Sequence, residues 1–157
     1  MTKFEEFEQV VARLRAPDGC PWDRAQTHAS LKRTCIEEAA EVICGINILD
    51  DTGNPDNLKE ELGDLLMQVV LHARIAEEEG LFTMDDVIQS ITDKMVRRHP
   101  HVFGSADGPG DDGSQTSWDE IKKQEKAGKE WTEDYLPEAF NESIKLIETA
   151  KKRKGIE

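Results

Sequence analysis

The chain lacks any run of about 18 apolar residues, so nothing in it reads as a membrane span and no membrane partner is expected. Its N-terminus has no signal-peptide pattern, and the expected setting is the cytoplasm. Aromatic residues are scarce, at 6%, and a β-sandwich would want more Val, Thr, Tyr and Phe than this. Cysteine is limited to Cys20, Cys35 and Cys44. With no CxxC pair among them they suggest no metal ribbon, and Cys35 and Cys44 read as small apolar fillers of a helix. Positive charge is also short: 20 Lys plus Arg stand against 33 Asp plus Glu. DNA and RNA polymers demand a basic surface, so they are not expected partners. A small phosphorylated ligand remains open, because divalent cations bridge an acidic protein to phosphate.

What is present is helix. The 157 residues suit one domain with a substantial core. In "TKFEEFEQVVARLR", Phe4, Phe7, Val11 and Leu14 recur at helical spacing behind Thr2 as N-cap. After the turn-rich "APDGCPWDRAQTH", a second helix is predicted from Ser30 to Leu49 and a third from Leu58 to Glu79. The short break "DDTGNPDN" folds the third back antiparallel on the second. A fourth helix opens at a Thr83/Asp86 capping box and stops at Pro100. Residues 104–117, rich in Gly, Asp and Ser, read as a mobile linker. A short helix follows from Trp118, and a last one covers 137–157 with a basic end. No strand signal survives, and the predicted fold is all-α.

The acids of the two long helices need an explanation. On the second, Leu31, Cys35, Val42, Ile43, Ile46 and Leu49 fall in one arc. Glu38 lies at its border, Glu41 roughly 60° further out, and Glu37 beyond that. On the third, Leu58, Leu62, Leu65, Leu66, Val69, Val70, Ala73 and Ala76 form a broad core face, and Met67, Leu71 and Ile75 a second stripe. Between the stripes run Glu61, Asp64, Gln68 and His72. A helix apolar on two sides is buried on two sides, either inside the domain or at an oligomer interface. Carboxylates screened in this way are costly unless they are paired or coordinated. A single ExxE marks no more than a solvated face. Two such pairs on adjacent helices, Glu38 with Glu41 and Glu61 with Asp64, make an oxygen-rich cage for a hard cation, Mg²⁺ or Mn²⁺. No histidine joins them at zinc-like spacing, and His72 reads as a satisfied core or interface residue.

The fourth helix supplies opposite charge. Lys94 borders the stripe of Val87, Ile88, Ile91 and Met95, Arg98 falls on it, and Arg97 lies beside them. Cations at a helix C-terminus complement the macrodipole without any ligand. A guanidinium on an apolar face is less easily explained so, and it pairs well with phosphate. Trp118 can stack on a base or merely anchor its helix, and Lys122, one turn on, can reach a phosphate.

These residues carry a resemblance. "CPWDRAQTHASL" at 20–31, "IEEAAEV" at 36–42, "LKEELGDLLMQVVLHARIAEEEG" at 58–80, "DKMVRRHPHVFG" at 93–104 and "WDEIKKQEK" at 118–126 together resemble the MazG family of nucleoside triphosphate pyrophosphohydrolases. EExxE followed by ExxD is shared across the wider all-α NTP pyrophosphatase superfamily. The CPWD…QTH and RRHPHVF strings are specific to MazG. The resemblance implies a compact antiparallel helical bundle that forms a homodimer or larger homo-oligomer. It implies Mg²⁺ held by Glu38, Glu41, Glu61 and Asp64, with Glu37 and Glu60 nearby. It implies nucleotide contacts from Lys94, Arg97, Arg98 and Trp118, with Lys122 a weaker candidate, and hydrolysis of an NTP to NMP and pyrophosphate. Two departures bear on base preference: the chain carries one module where many relatives carry two, and Ala39 and Ala40 stand where Tyr or Thr is usual. A dUTP- or phosphoribosyl-ATP-directed enzyme shares the acid cage. A silent nucleotide-binding or interaction bundle is the reading from another class.

Overall fold

The computed structural model describes residues 1–104 and 115–157, with the backbone alone for 115–117. Regular structure among the described residues is helical throughout: α1 (Lys3–Leu14), α2 (Pro21–Arg24), α3 (Lys32–Thr52), α4 (Asp56–Glu78), α5 (Met84–Arg98), α6 (Pro100–Phe103), α7 (Gln115–Lys126), a 3₁₀ turn (Glu130–Tyr135) and α8 (Leu136–Lys154). The expected Thr2 cap is present as a full capping box: Glu5 N donates to Thr2 Oγ1 at 3.2 Å, and Thr2 N to Glu5 Oε2 at 2.6 Å. Gly53, at φ 73°, closes α3 in the left-handed conformation that favours glycine.

Three short elements escaped the sequence reading, because two single turns opened by Pro21 and Pro100 and a 3₁₀ stretch leave no periodicity to detect. Of the expected 104–117 linker, 105–114 lies outside the described residues, whereas 115–117 already belong to α7. Trp118 therefore stands within the first turn of α7 instead of opening it.

The chain divides into two compact units, residues 1–84 with 142–157, and residues 85–141. In the first, α3 and α4 lie side by side. Thr34 Oγ1 donates to Gln68 Oε1 at 2.9 Å near one end, and Gly45 faces Leu58 towards the other, so residue numbers run in opposite directions along the pair. Gly45 is buried, and a Cβ on it would come 2.7 Å from Leu58 Cα. Only glycine admits that approach of one backbone to the other.

The core gathers about the C-terminal half of α4. Val11 of α1, Leu31, Val70, Leu71 and Ile75 are buried together, with Phe4, Phe7, Met67 and Met84 against them. Both stripes contribute to the core: Val70, Ala73 and Ala76 of the expected core face are buried, and so are Leu71 and Ile75 of the second stripe. Met67, Leu71 and Ile75, read as a possible interface, are covered by α1 of the same chain. Leu62, Leu66 and Val69 of the presumed core face are exposed, as are Cys35, Ile43, Cys44 and Ile46 on α3. Periodicity locates apolar stripes but does not say which neighbour covers each. Asp64 is also exposed, so the polar strip is only partly screened; Gln68 is its buried member.

Two polar devices fasten residues 16–31 to α4. The Arg15 guanidinium, 8% exposed, donates through Nη1 to the carbonyls of Asp23 (2.6 Å) and Gln26 (3.1 Å) and through Nη2 to Glu78 (2.8 Å). His28 and His72 stack with ring centroids 5.0 Å apart. Burial, and then the neighbouring His28, lower the pKa of His72 below its ordinary 6.5. His72 is thus satisfied by another ring.

Candidate functional site

Three of the expected acids converge. Glu38 of α3 and Glu61 and Asp64 of α4 each present a carboxylate oxygen within 4.8 Å of the other two. The i, i+3 spacing puts Glu61 and Asp64 on one face of α4, and the close approach at Gly45 brings that face to Glu38. Asn57 Nδ2 donates to Glu61 Oε1 at 3.0 Å, fixing that side chain from one turn below.

Glu38 carries the electrostatic strain of the group. Its Oε2 is buried without a hydrogen-bond partner. Burial first, then a hydrogen bond with Glu41 and the charges of Glu41, Asp64 and Glu61, push its pKa from 4.5 to about 7. A buried, unpartnered acceptor beside two further carboxylates is a cost that a cation removes. The donor set is all oxygen, as hard divalent ions require, and so the residues fit Mg²⁺ or Mn²⁺.

The remaining acids are placed differently. Glu41 is within hydrogen-bonding reach of Glu38 but outside the three-acid group, and it takes an ion pair from Lys154 Nζ at 2.7 Å. That hydrogen bond holds its pKa below the ordinary carboxylate value. Glu37 is paired with Arg153 Nη2 at 2.7 Å, and Glu60 is exposed. The basic end of α8 is legible in the sequence, but its partners more than a hundred residues away are not.

The cations form their own cluster in the second unit. Arg98 Nε and Nη2 donate to Glu125 Oε2 at 2.9 and 2.7 Å, and Arg97 Nε donates to Glu125 Oε1 at 2.8 Å. Burial raises the Glu125 pKa, but the two arginines outweigh it and hold the carboxyl below its ordinary value. The Arg98 guanidinium and Lys122 Nζ each lie 5.5 Å from the centre of the Trp118 ring, within cation–π range. His99 meets the same ring edge-on at 5.0 Å. Trp118 thus gathers Arg98, His99 and Lys122 about itself, with Lys94 half-buried on α5. Glu125 had no role in the sequence reading. One carboxylate among many Glu residues gives no sign that it bridges two arginines.

Comparison with known proteins bears on these motifs. Residues 26–103 match the profile described as MazG nucleotide pyrophosphohydrolase domain. The nucleoside triphosphate pyrophosphohydrolase/pyrophosphatase MazG of Thermotoga maritima is 53% identical over 126 residues, 80% of this chain and 46% of that protein. The nucleoside triphosphate pyrophosphohydrolase of Escherichia coli K12 is 41% identical over 130 residues, 82% of this chain and 48% of its own length. That of Mycobacterium tuberculosis is 40% identical over 116 residues, 73% of this chain and 34% of its own. The chain thus spans less than half the length of these relatives. With the domain match covering both acid pairs and the α5 cations, the chain belongs to the MazG nucleotide pyrophosphohydrolase family.

Proposed function

We propose that this protein hydrolyses nucleoside triphosphates to the monophosphate and pyrophosphate in a Mg²⁺-dependent reaction, Mn²⁺ being able to substitute, and that it serves to clean the cytoplasmic nucleotide pool. The observation that carries the reading is the convergence of Glu38, Glu61 and Asp64 around a buried, unpartnered carboxylate oxygen. Family membership supports the reaction type. When bound, the divalent cation supplies Lewis acidity towards the triphosphate and towards water.

The chain's own residues then divide the work. Glu38, Glu61, Asp64 and Glu41 hold and neutralise the cation, with Glu37 beside them at the substrate. Arg98 grips a phosphate with its planar fork, and Arg97, Lys94 and Lys122 offset the charge that collects on the departing pyrophosphate. Trp118 stacks on the base. In the free protein Glu125 occupies the two arginines as a phosphate would, which supports their assignment as oxyanion ligands.

The active form we propose is an antiparallel bundle completed by a second copy of the chain. The supporting observation is the exposed apolar set Ile43, Ile46, Leu62, Leu66 and Val69 along α3 and α4.

Pyrophosphate release over a panel of canonical NTPs, dUTP and phosphoribosyl-ATP, with and without Mg²⁺, tests the reaction. Release from several NTPs, dependent on the metal, is expected. Release from dUTP or phosphoribosyl-ATP alone would narrow the enzyme to that substrate, and no release from any would reduce the domain to a silent binding bundle.

A further inference from the structure

Glu41 is the one carboxylate of the expected four that stands apart from the cluster, and a lysine holds it there. Lys154 Nζ lies 2.7 Å from Glu41 Oε1, and its neighbour Arg153 reaches Glu37 at the same distance. Both cations belong to the last turn of α8, within the run Lys151, Lys152, Arg153 and Lys154. Further up, Lys32 of α3 meets Glu142 of α8 at 2.9 Å, so three ion pairs tie these two helices together.

Glu41 has a foot on each side. It lies one helical turn from Glu38 on α3, and it accepts a hydrogen bond from Lys154 of α8. Rotation about its side-chain bonds is enough to carry its carboxylate from one neighbour to the other. The ion pair that holds it is weakly anchored: the side chains of Lys154 and Glu41 are 40% and 38% exposed. Exposed pairs of this kind contribute little, and a lysine released to water regains its rotamer freedom.

We propose that Lys154 is a built-in competitor of the divalent cation: its ammonium occupies Glu41 in the metal-free protein, and binding of the ion takes Glu41 from it and loosens the last turn of α8. The inference rests on the metal reading above. At equal separation an ammonium and a divalent ion on one carboxylate repel about twice as strongly as two unit charges, and a solvent-exposed pair does not hold against that. By linkage, whatever metal binding costs the Lys154 contact, the contact costs metal binding. Lys152 provides the control. It is exposed, carries the same charge in the same turn, and forms no ion pair among the described residues.

The test titrates Mn²⁺ into the metal-free full chain by calorimetry, comparing wild type, Lys154→Met and Lys152→Met. Lys154→Met should tighten Mn²⁺ about three- to fivefold, the scale of an exposed ion pair, with Lys152→Met staying within about twofold of wild type. In wild type, Mn²⁺ should also quicken backbone hydrogen exchange at residues 151–157. Lys154→Met binding no more tightly than Lys152→Met, or exchange that slows or stays unchanged on adding Mn²⁺, would overturn the competition while leaving the metal site standing. Failure of wild type to bind Mn²⁺ at all would overturn the metal reading and the inference with it.

Discussion

The Nδ1 atoms of His28 and His72 lie 2.7 Å apart between rings inclined by only 1°. One nitrogen must donate and the other accept, so the pair holds a single proton between them and resists a second. Glu79 Oε2 lies 3.7 Å from His28 Nε2, and the His72 pKa lies below 6.5. Below pH 6.5 the unfolded chain therefore binds a proton at this position that the native state refuses. Stability contributed here is complete above pH 6.5 and is lost as pH falls through the depressed native value. Melting temperatures of wild type and His72→Gln, measured from pH 8 to pH 5, should diverge most at neutral pH and converge on acidification. A constant difference would show that the pair does not titrate.

Glu38 slopes the other way. Its native pKa of about 7, against an ordinary 4.5, means that the folded metal-free protein keeps a proton the unfolded chain gives up between those values. Stability should fall as pH rises through that window. Glu38→Gln in the presence of EDTA should melt higher than wild type at pH 8 and lose that advantage near pH 4.5. Its turnover, and that of Asp64→Asn, should drop by more than the roughly 10- to 100-fold typical of losing a residue that merely supports a metal ligand. An active Asp64→Asn enzyme with unchanged Mg²⁺ dependence would remove the three-acid site from the reaction.

Arg98→Lys separates a helix-end charge from a phosphate grip. Charge is preserved, so a residue that only complements the dipole would leave catalysis untouched. Loss of the fork at a bidentate site should lower kcat/KM by one to two orders of magnitude, about 1.5–3 kcal/mol for a charged hydrogen bond. The melting temperature should barely move, because lysine retains an ion pair with Glu125. Steady-state kinetics beside a thermal melt decide between the two.

Gly45→Ala should be severe for a methyl group. The new Cβ meets backbone at 2.7 Å, and no side chain can swing aside to admit it. Parting α3 from α4 should cost about 1–3 kcal/mol in chemical denaturation. It should weaken Mn²⁺ binding as well, since Glu38 faces Glu61 and Asp64 across that seam.

Leu66→Glu addresses assembly. Leu66 lies within the exposed apolar set of α4, at 39% exposure, where a charge is harmless in a lone chain. Sedimentation should give a dimer or larger species for wild type and a monomer for the variant. A wild-type monomer at micromolar concentration would leave that face without its proposed cover.

The long helices and their acids were legible because both depend on local spacing. Apolar residues three and four apart define α3 and α4, and ExxE and ExxD put carboxylates on one face whatever lies opposite. Which part of each stripe is covered was not legible. α1 covers Met67, Leu71 and Ile75, yet nothing in the α4 sequence distinguishes that stripe from Leu62, Leu66 and Val69. Gly45 was missed for a similar reason: a glycine inside a helical pattern discloses a close crossing only once the opposing backbone is known. The partners of Glu41, Glu37 and Arg98 are all contributed by distant segments through long, flexible side chains, and periodicity does not extend to those.

The Arg15 clamp has a consequence for how the native state comes apart. One guanidinium joins the carbonyls of Asp23 and Gln26 to Glu78 in the final turn of α4, and His28 joins the same segment to His72 two turns earlier. Residues 16–31, poor in regular structure, would otherwise be the first to breathe. Fastened at both points, they cannot peel away unless the end of α4 gives up its partners too. Fraying of that helix end and excursions of the preceding connection are then a single cooperative opening, with one free energy shared between two stretches of chain far apart in sequence.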